Sequence, residues 1–176
     1  MLRIGHRGAR AYAPENTIAS FKKALEIGVD AVELDVRKTK DKQLVVIHDA
    51  DVKRTTDGEG LVCELTLKEI KGFSAEGGEK IPTLEEALDF LDKKVKVFVE
   101  LKEEGTEEQV LRVVHDRGLE KNVVIVSFLE DALRKVRVRR PDRNRLDLRE
   151  ASEPVEGGVG FESQLPCCSL QVHAYG

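Results

Sequence analysis

Charged side chains recur at two-residue spacing in two apolar segments of the chain. Glu33 and Asp35 are separated by one leucine, and Glu100 is followed two positions later by Lys102. Residues two apart on a β-strand point to the same side, so each pair would present both charged groups on one face. Three such carboxylates suit a hard divalent cation, Mg²⁺ or Ca²⁺, because these ions prefer oxygen ligands.

Two histidines and two cationic side chains occupy comparable positions. His6 and Arg7 follow the first apolar segment, and His48 ends a later one. Histidine exchanges protons near neutral pH, so the two imidazoles could act as a base and an acid. Arg7 and Lys102 would attract an anion, and arginine can bind a phosphate through two hydrogen bonds. A cation, an acid–base pair and basic side chains together indicate phosphoryl chemistry.

Each signal alone also has an ordinary explanation. Glu33 and Asp35 could line a solvated strand face, and Glu100 with Lys102 could be a surface ion pair that contributes little to stability. A single histidine at a strand end is often structural. The joint placement of these residues at the ends of four apolar segments is what indicates one site.

The elements that must position these residues alternate along the chain up to about residue 140. Apolar runs predict strands at residues 2–5, 30–36, 44–48, 95–101 and 123–127, and helical spacing predicts helices at residues 17–27, 66–71, 83–91, 107–117 and 130–138. Such alternation is typical of a parallel sheet with helices packed outside it. In a parallel α/β barrel the active site lies at the C-terminal ends of the strands, where the ionisable residues fall.

One connection leaves two arrangements open. Only residues 36–43 separate the second predicted strand from the third, whereas a parallel crossover usually needs a dozen or more residues. Either an extended loop replaces the helix, or the strands form a hairpin that turns near Asp41 and Lys42. That hairpin would place Asp35 opposite His48.

Composition narrows the class of protein and its partners. The chain has 176 residues and a formal net charge of −4, which suits one domain and disfavours nucleic acid as a partner. No apolar run approaches the roughly 20 residues of a membrane span, and no apolar leader typical of a secretory signal is present. We therefore expect a cytoplasmic protein that acts on a small molecule.

The strand–helix alternation stops after Pro141. Residues 141–176 contain two of the three cysteines, a glycine cluster and scattered apolar residues, so we expect an irregular tail behind a domain of residues 1–140. The tail could be a disordered segment or an out-of-frame translation that begins near residues 137–145. Reading the coding DNA in its other two frames would distinguish them.

Seven ordered motifs resemble the glycerophosphodiester phosphodiesterase family over residues 1 to about 140. They are Gly5-His6-Arg7-Gly8, Pro14-Glu15-Asn16-Thr17, Glu33-Leu34-Asp35-Val36, Val46-Ile47-His48-Asp49, Arg54-Thr55-Thr56, Ile81-Pro82-Thr83-Leu84-Glu85-Glu86 and Glu100-Leu101-Lys102. The resemblance implies a TIM barrel, of which about five strands would be present out of eight. It also implies metal-dependent hydrolysis of glycerophosphodiesters to an alcohol and sn-glycerol 3-phosphate.

The resemblance assigns a role to every ionisable residue described above and adds Asn16. The implied roles are metal ligation by Glu33, Asp35 and Glu100, catalysis by His6, His48 and Lys102, and phosphate or substrate binding by Arg7, Lys102 and Asn16. Two alternatives stay open: a catalytically impaired fragment or phosphate-binding module, and a related phosphatidylinositol-type phospholipase. An incomplete barrel would also leave an open sheet edge that could support self-association.

Overall fold

The computed structural model of the protein describes residues 2–138 and 149–150. Its strands are β1 (Ile4–Gly5), β2 (Ala31–Lys38), β3 (Leu44–Val46), β4 (Lys96–Leu101), β5 (Val123–Ser127) and β6 (Arg149–Glu150). Its helices are α1 (Ile18–Ile27), α2 (Leu67–Gly72), α3 (Leu84–Leu91), α4 (Glu107–Asp116) and α5 (Glu130–Val138). None of these helices is long and apolar enough to cross a membrane.

A parallel sheet organises the molecule, as the sequence predicts. Its strands follow the order β1-β2-β4-β5-β6, and each neighbouring pair is parallel. Their C-terminal ends therefore lie along one edge of the sheet. In the part of the chain that the structure describes, the sheet does not close from β6 back to β1.

The connection after β2 is a hairpin, which is one of the two arrangements that the sequence leaves open. Strand β3 runs antiparallel to β2 and pairs Val36 with Val46. The expected register was wrong by one residue, because Asp35 lies opposite Ile47, whose amide donates to the Asp35 carbonyl at 3.0 Å, rather than opposite His48. Strand β4 pairs along one edge of β2, so β1 and β3 share the other edge.

Alternation along the strands separates an apolar face from a charged one. Val32 and Leu34 of β2 are fully buried, and so is Val99 of β4. These residues belong to the main apolar cluster, which includes Leu84 and Leu88 of helix α3. Because neighbouring side chains on a strand point to opposite sides, burial of this face directs the intervening carboxylates away from the helices.

The sequence favours Asn16 as the N-cap of helix α1 and Gly28 as its end, and the structure corrects the first of these. The cap is Thr17, whose hydroxyl accepts a hydrogen bond from the Ser20 amide, and the helix ends at Gly28 with a φ of 77°. Gly28 confirms the expected helix stop. Asn16 is left to make other contacts.

Strand β6 was not predicted from the sequence. It pairs in parallel with β5, with Arg149 next to Val126. The rest of the expected irregular tail lies outside the described residues, and so do residues 139–145 of the range 137–145 in which a change of reading frame was expected.

The capping box that begins helix α3 makes a testable contribution to stability. The Thr83 hydroxyl accepts from the Glu86 amide at 3.1 Å, and the Glu86 carboxylate accepts from the Thr83 amide at 2.8 Å. Thr83→Ala should lower the free energy of unfolding by about 1 kcal/mol, as measured by urea denaturation. Thr83→Ser keeps the hydroxyl and is the matched control; equal losses in the two variants would contradict the capping role.

Candidate active site

Three carboxylates meet at the C-terminal edge of the sheet. Glu33 and Asp35 come from β2, and the register places Glu100 of β4 beside Asp35. Each residue offers a carboxylate oxygen that lies within 4.8 Å of the other two. The Asp35 side chain is fully buried, and those of Glu33 and Glu100 are 12% and 10% exposed.

Two cations lie against this carboxylate cluster. The Lys102 ammonium is 2.6 Å from a Glu100 oxygen and 3.2 Å from Asp35 Oδ1. Arg7 Nε is 3.5 Å from Asp35 Oδ2, and the Arg7 backbone amide donates to Glu33 at 2.8 Å. Each of the three carboxylates therefore has a basic group or an amide donor beside it.

The loop after β1 takes an unusual conformation that positions Arg7. Arg7 and Gly8 both have positive φ, 54° and 80°. A Cβ at Gly8 would lie 2.3 Å from Ser20 Oγ and 2.8 Å from the Ser20 backbone, so this position requires glycine. Ser20 Oγ in turn donates to the Arg7 carbonyl at 2.9 Å, which ties the loop to helix α1.

Asn16 supports the fully buried Asp35. Its Nδ2 donates to Asp35 Oδ2 at 2.8 Å, and its Oδ1 accepts from the Asp35 amide. Asn16 is itself buried and has a φ of 57°, a left-handed conformation that asparagine tolerates better than most residues. The side chain thus orients one of the three carboxylates.

The two histidines lie in different surroundings. His6 Nε2 is 3.7 Å from Glu33 Oε2, and the side chain is 39% exposed. His48 Nδ1 is 2.6 Å from Asp49 Oδ1. Its backbone carbonyl accepts from Arg37 Nε at 2.8 Å, so both the ring and the main chain of His48 have fixed partners.

Burial and mutual repulsion give the three carboxyl groups different pKa values. Burial, followed by the charge of Asp35, raises the pKa of Glu33 to about 8. Burial also raises the pKa of Glu100, against the opposing effect of Lys102. For Asp35, burial is outweighed by Lys102 and the other donors, which hold its pKa below the ordinary value. One carboxyl of the cluster therefore tends to keep its proton near neutrality.

His6 is held neutral at physiological pH. Burial, and then the positive charges of Arg7 and Arg10, lower its pKa to about 4. A neutral imidazole can accept a proton, which a general base must do.

The carboxylate set fits a hard divalent cation. The buried oxygens Glu33 Oε1 and Asp35 Oδ1 have no hydrogen-bond partner among the described residues; Lys102 is 3.2 Å from the latter but outside hydrogen-bonding geometry. Such oxygens can serve as ligands instead. Oxygens within 4.8 Å of one another can all reach one ion at metal–oxygen distances of about 2.3–2.6 Å.

Residues 6–155 match the sequence model of the Glycerophosphoryl diester phosphodiesterase family. The chain belongs to this family. It is 44% identical over 151 residues to "Glycerophosphodiester phosphodiesterase" of Caldanaerobacter subterraneus, covering 78% of this chain and 62% of the relative. It is 36% identical over 147 residues to human "Glycerophosphodiester phosphodiesterase 1", covering 76% and 44%. The chain therefore spans less than two thirds of the length of these family members.

Solved structures of family members share the fold. The glycerophosphodiester phosphodiesterase of Agrobacterium tumefaciens has a TM-score of 0.74 at 36% identity, covering 78% of this chain and 63% of that one. An Oleispira antarctica phosphodiesterase in complex with the product sn-glycerol-3-phosphate has a TM-score of 0.72 at 32% identity, covering 85% and 64%. The predicted TIM-barrel fold class is confirmed, with an open sheet in the described part.

The structure brings the predicted residues to one edge of the sheet. They form two groups. Six surround or belong to the carboxylate cluster: Arg7, Asn16, Glu33, Asp35, Glu100 and Lys102. His6 approaches Glu33, while His48 follows the hairpin strand β3 and contacts Asp49.

Sequence reasoning gave no role to three residues that support this site. Arg37 holds the His48 carbonyl, and its place two residues after Asp35 was the available signal. Glu15 lies in the motif Pro14-Glu15-Asn16-Thr17 and contacts both Arg7 and Arg54. Arg54 lies in the motif Arg54-Thr55-Thr56, but a sequence pattern cannot show which carboxylates an arginine contacts.

The support that Asn16 gives to Asp35 can be tested by two substitutions. Asn16→Gly removes the hydrogen bond to a charged group and should lower the free energy of unfolding by about 1.5–3 kcal/mol. Asn16→Ala loses the same hydrogen bond but keeps a Cβ in the left-handed region without asparagine's local hydrogen bonding, so it should be less stable than Asn16→Gly by about 1–2 kcal/mol. Thermal and urea unfolding would measure both. An alanine variant that is the more stable of the two would contradict the assigned backbone constraint.

Proposed function

We propose that this chain hydrolyses glycerophosphodiesters to an alcohol and sn-glycerol 3-phosphate with the help of a divalent cation. The observation that carries the proposal is the convergence of Glu33, Asp35 and Glu100 at the strand ends, with basic side chains beside them. The product bound to the Oleispira antarctica relative is sn-glycerol-3-phosphate. The family match favours this activity over that of a phosphatidylinositol-type phospholipase.

The three carboxylates would hold Mg²⁺ or Ca²⁺. Such a cation supplies charge stabilisation to the phosphoryl oxygens as negative charge develops on them. Arg7 and Lys102 add positive charge at the same edge of the sheet and would bind the phosphate. Asn16 would keep Asp35 in place and border the substrate.

The two histidines would divide the proton transfers between them. His6 is neutral at physiological pH, so its imidazole can take the proton of an attacking hydroxyl. His48 would then donate a proton to the departing alcohol oxygen, with its ring held by Asp49 at Nδ1. The assignment gives each histidine a separate task, as acid–base catalysis requires.

A catalytically impaired fragment that only binds phosphate is the second candidate. The chain spans 62% of the Caldanaerobacter subterraneus relative, and the described sheet is open.

The open sheet edge at β1 exposes two apolar side chains: Leu2 is 57% exposed and Ile4 is 45% exposed. We propose that the chain self-associates through this edge when no other chain covers it. A cytoplasmic location stays a prediction.

Release of glycerol 3-phosphate from glycerophosphocholine or glycerophosphoethanolamine tests the proposed activity. We expect release of glycerol 3-phosphate that EDTA abolishes and added Mg²⁺ or Ca²⁺ restores.

The role of His48 is tested by a single substitution. His48→Ala should lower turnover by at least about 100-fold yet keep its affinity for the cation. His115→Ala is the matched control, because His115 lies in the last turn of helix α4 and is 76% exposed. Phosphate binding without turnover in a folded sample would instead support the fragment.

Metal binding should release a proton. The Glu33 carboxyl, with its pKa near 8 in the metal-free protein, is mostly protonated at neutral pH and must ionise to bind a cation. Calorimetric titration with Mg²⁺ in two buffers of different ionisation enthalpy should show close to one proton released per ion at neutral pH. The release should vanish well above the pKa, where affinity no longer rises with pH. Binding at neutral pH without proton release would show that Glu33 is already ionised before the cation binds, and would contradict its raised pKa.

A further inference from the structure

A chain of ion pairs joins the two ends of the site. Arg7 Nη1 donates to Glu15 Oε1 at 3.0 Å, and Arg54 donates to both Glu15 oxygens at 2.6 and 3.1 Å. Arg54 Nε also donates to Asp49 Oδ2, and Asp49 Oδ1 meets His48 Nδ1 at 2.6 Å. The route therefore runs from the phosphate-binding candidate Arg7 to the acid–base candidate His48.

We propose that Glu15, Arg54 and Asp49 are positioning residues. They hold His48 in the tautomer that carries its proton on Nδ1, and they hold the Arg7 guanidinium beside the carboxylate cluster. The catalytic value of this arrangement rests on the phosphodiesterase function proposed above, whereas the tautomer and the geometry can be observed without turnover.

Asp49 determines which ring nitrogen of His48 carries the proton. Its contacts with His48 and Arg54 outweigh partial burial and hold its pKa well below the usual range. An ionised carboxylate can only accept hydrogen bonds, so neutral His48 must donate from Nδ1. Nε2 is then the nitrogen that exchanges a proton with the substrate: the imidazolium donates from Nε2 to the departing oxygen and returns to this form, with its remaining proton on Nδ1.

Arg54 couples two loops, one before helix α1 and one after β3. Its Nε contacts the carboxylate that follows β3, and its two terminal nitrogens contact Glu15 before helix α1. A planar guanidinium offers donors in this fixed fork, which a lysine cannot reproduce. Arg54 is 49% exposed, so these contacts contribute little to global stability and act mainly on geometry.

His48 is held at a second point, which limits what the ring can do. Arg37 fixes the His48 carbonyl, so the main chain is anchored independently of Asp49. Loss of the ion-pair chain would therefore release the ring and its tautomer and leave the backbone in place. This separation makes the proposal testable by single substitutions.

Nitrogen NMR of the histidine side chains, recorded on the metal-free full chain above the imidazole pKa, reads the tautomer directly. We expect wild-type His48 to show a protonated Nδ1 and an unprotonated Nε2. Asp49→Asn, whose amide can donate to Nδ1, should move the proton to Nε2. Arg54→Gln should give a mixture of both tautomers, and Arg54→Lys should lie between Arg54→Gln and wild type.

The matched control is Arg117→Gln. Arg117 Nε donates to Asp89 at 2.6 Å just after helix α4, so its loss removes a comparable ion pair without touching His48. A wild-type Nε2–H tautomer, or an unchanged tautomer in both Asp49→Asn and Arg54→Gln, would overturn the proposal. Because no substrate is present, a chain that lacks phosphodiesterase activity still gives either result. Backbone amide spectra of the same samples report that each variant is folded.

Discussion

Burial of three carboxylates within reach of one ion is the constraint on which this structure depends. Like charges so close together would repel each other and favour protonation or an opened sheet. Lys102 lies against Glu100 and Asp35, and the Arg7 amide lies against Glu33. Lys102 directly follows β4, which carries Glu100, and Arg7 follows the neighbouring strand β1, so the compensation comes from the same edge of the sheet as the carboxylates.

The apolar face of the sheet determines whether the charged face can form. Leu34 and Val99 pack against the helices on one side, and the residues between them must then point to the other. Parallel pairing brings Glu100 level with Asp35. A shift of one residue in either strand would turn the carboxylates toward the helices, so the core packing on one side secures the register of the site on the other.

Much of this arrangement follows from the sequence because it depends on period and order. The two-residue spacing of Glu33 and Asp35 places them on one face, and the strand–helix alternation places the strand ends at one edge. The hairpin register did not follow, because Asp35 pairs one position earlier than the turn residues suggested. Asn16 was mistaken for a cap because its sequence position suits either an N-cap or a hydrogen-bond donor to Asp35. Its positive φ, which the sequence does not reveal, distinguishes the two roles.

Within residues 2–138, the side chains that contact the carboxylate cluster fall between residues 6 and 102, on β1, β2 and β4 and their loops. The hairpin strand β3 adds His48 on the same side of β2 that β1 occupies. The chemistry-bearing groups of the described part thus depend on one contiguous core. A closed barrel would confine the ends of these loops by packing. In an open sheet, the ion pairs of Arg54 with Glu15 and Asp49 can hold the loop ends in place instead.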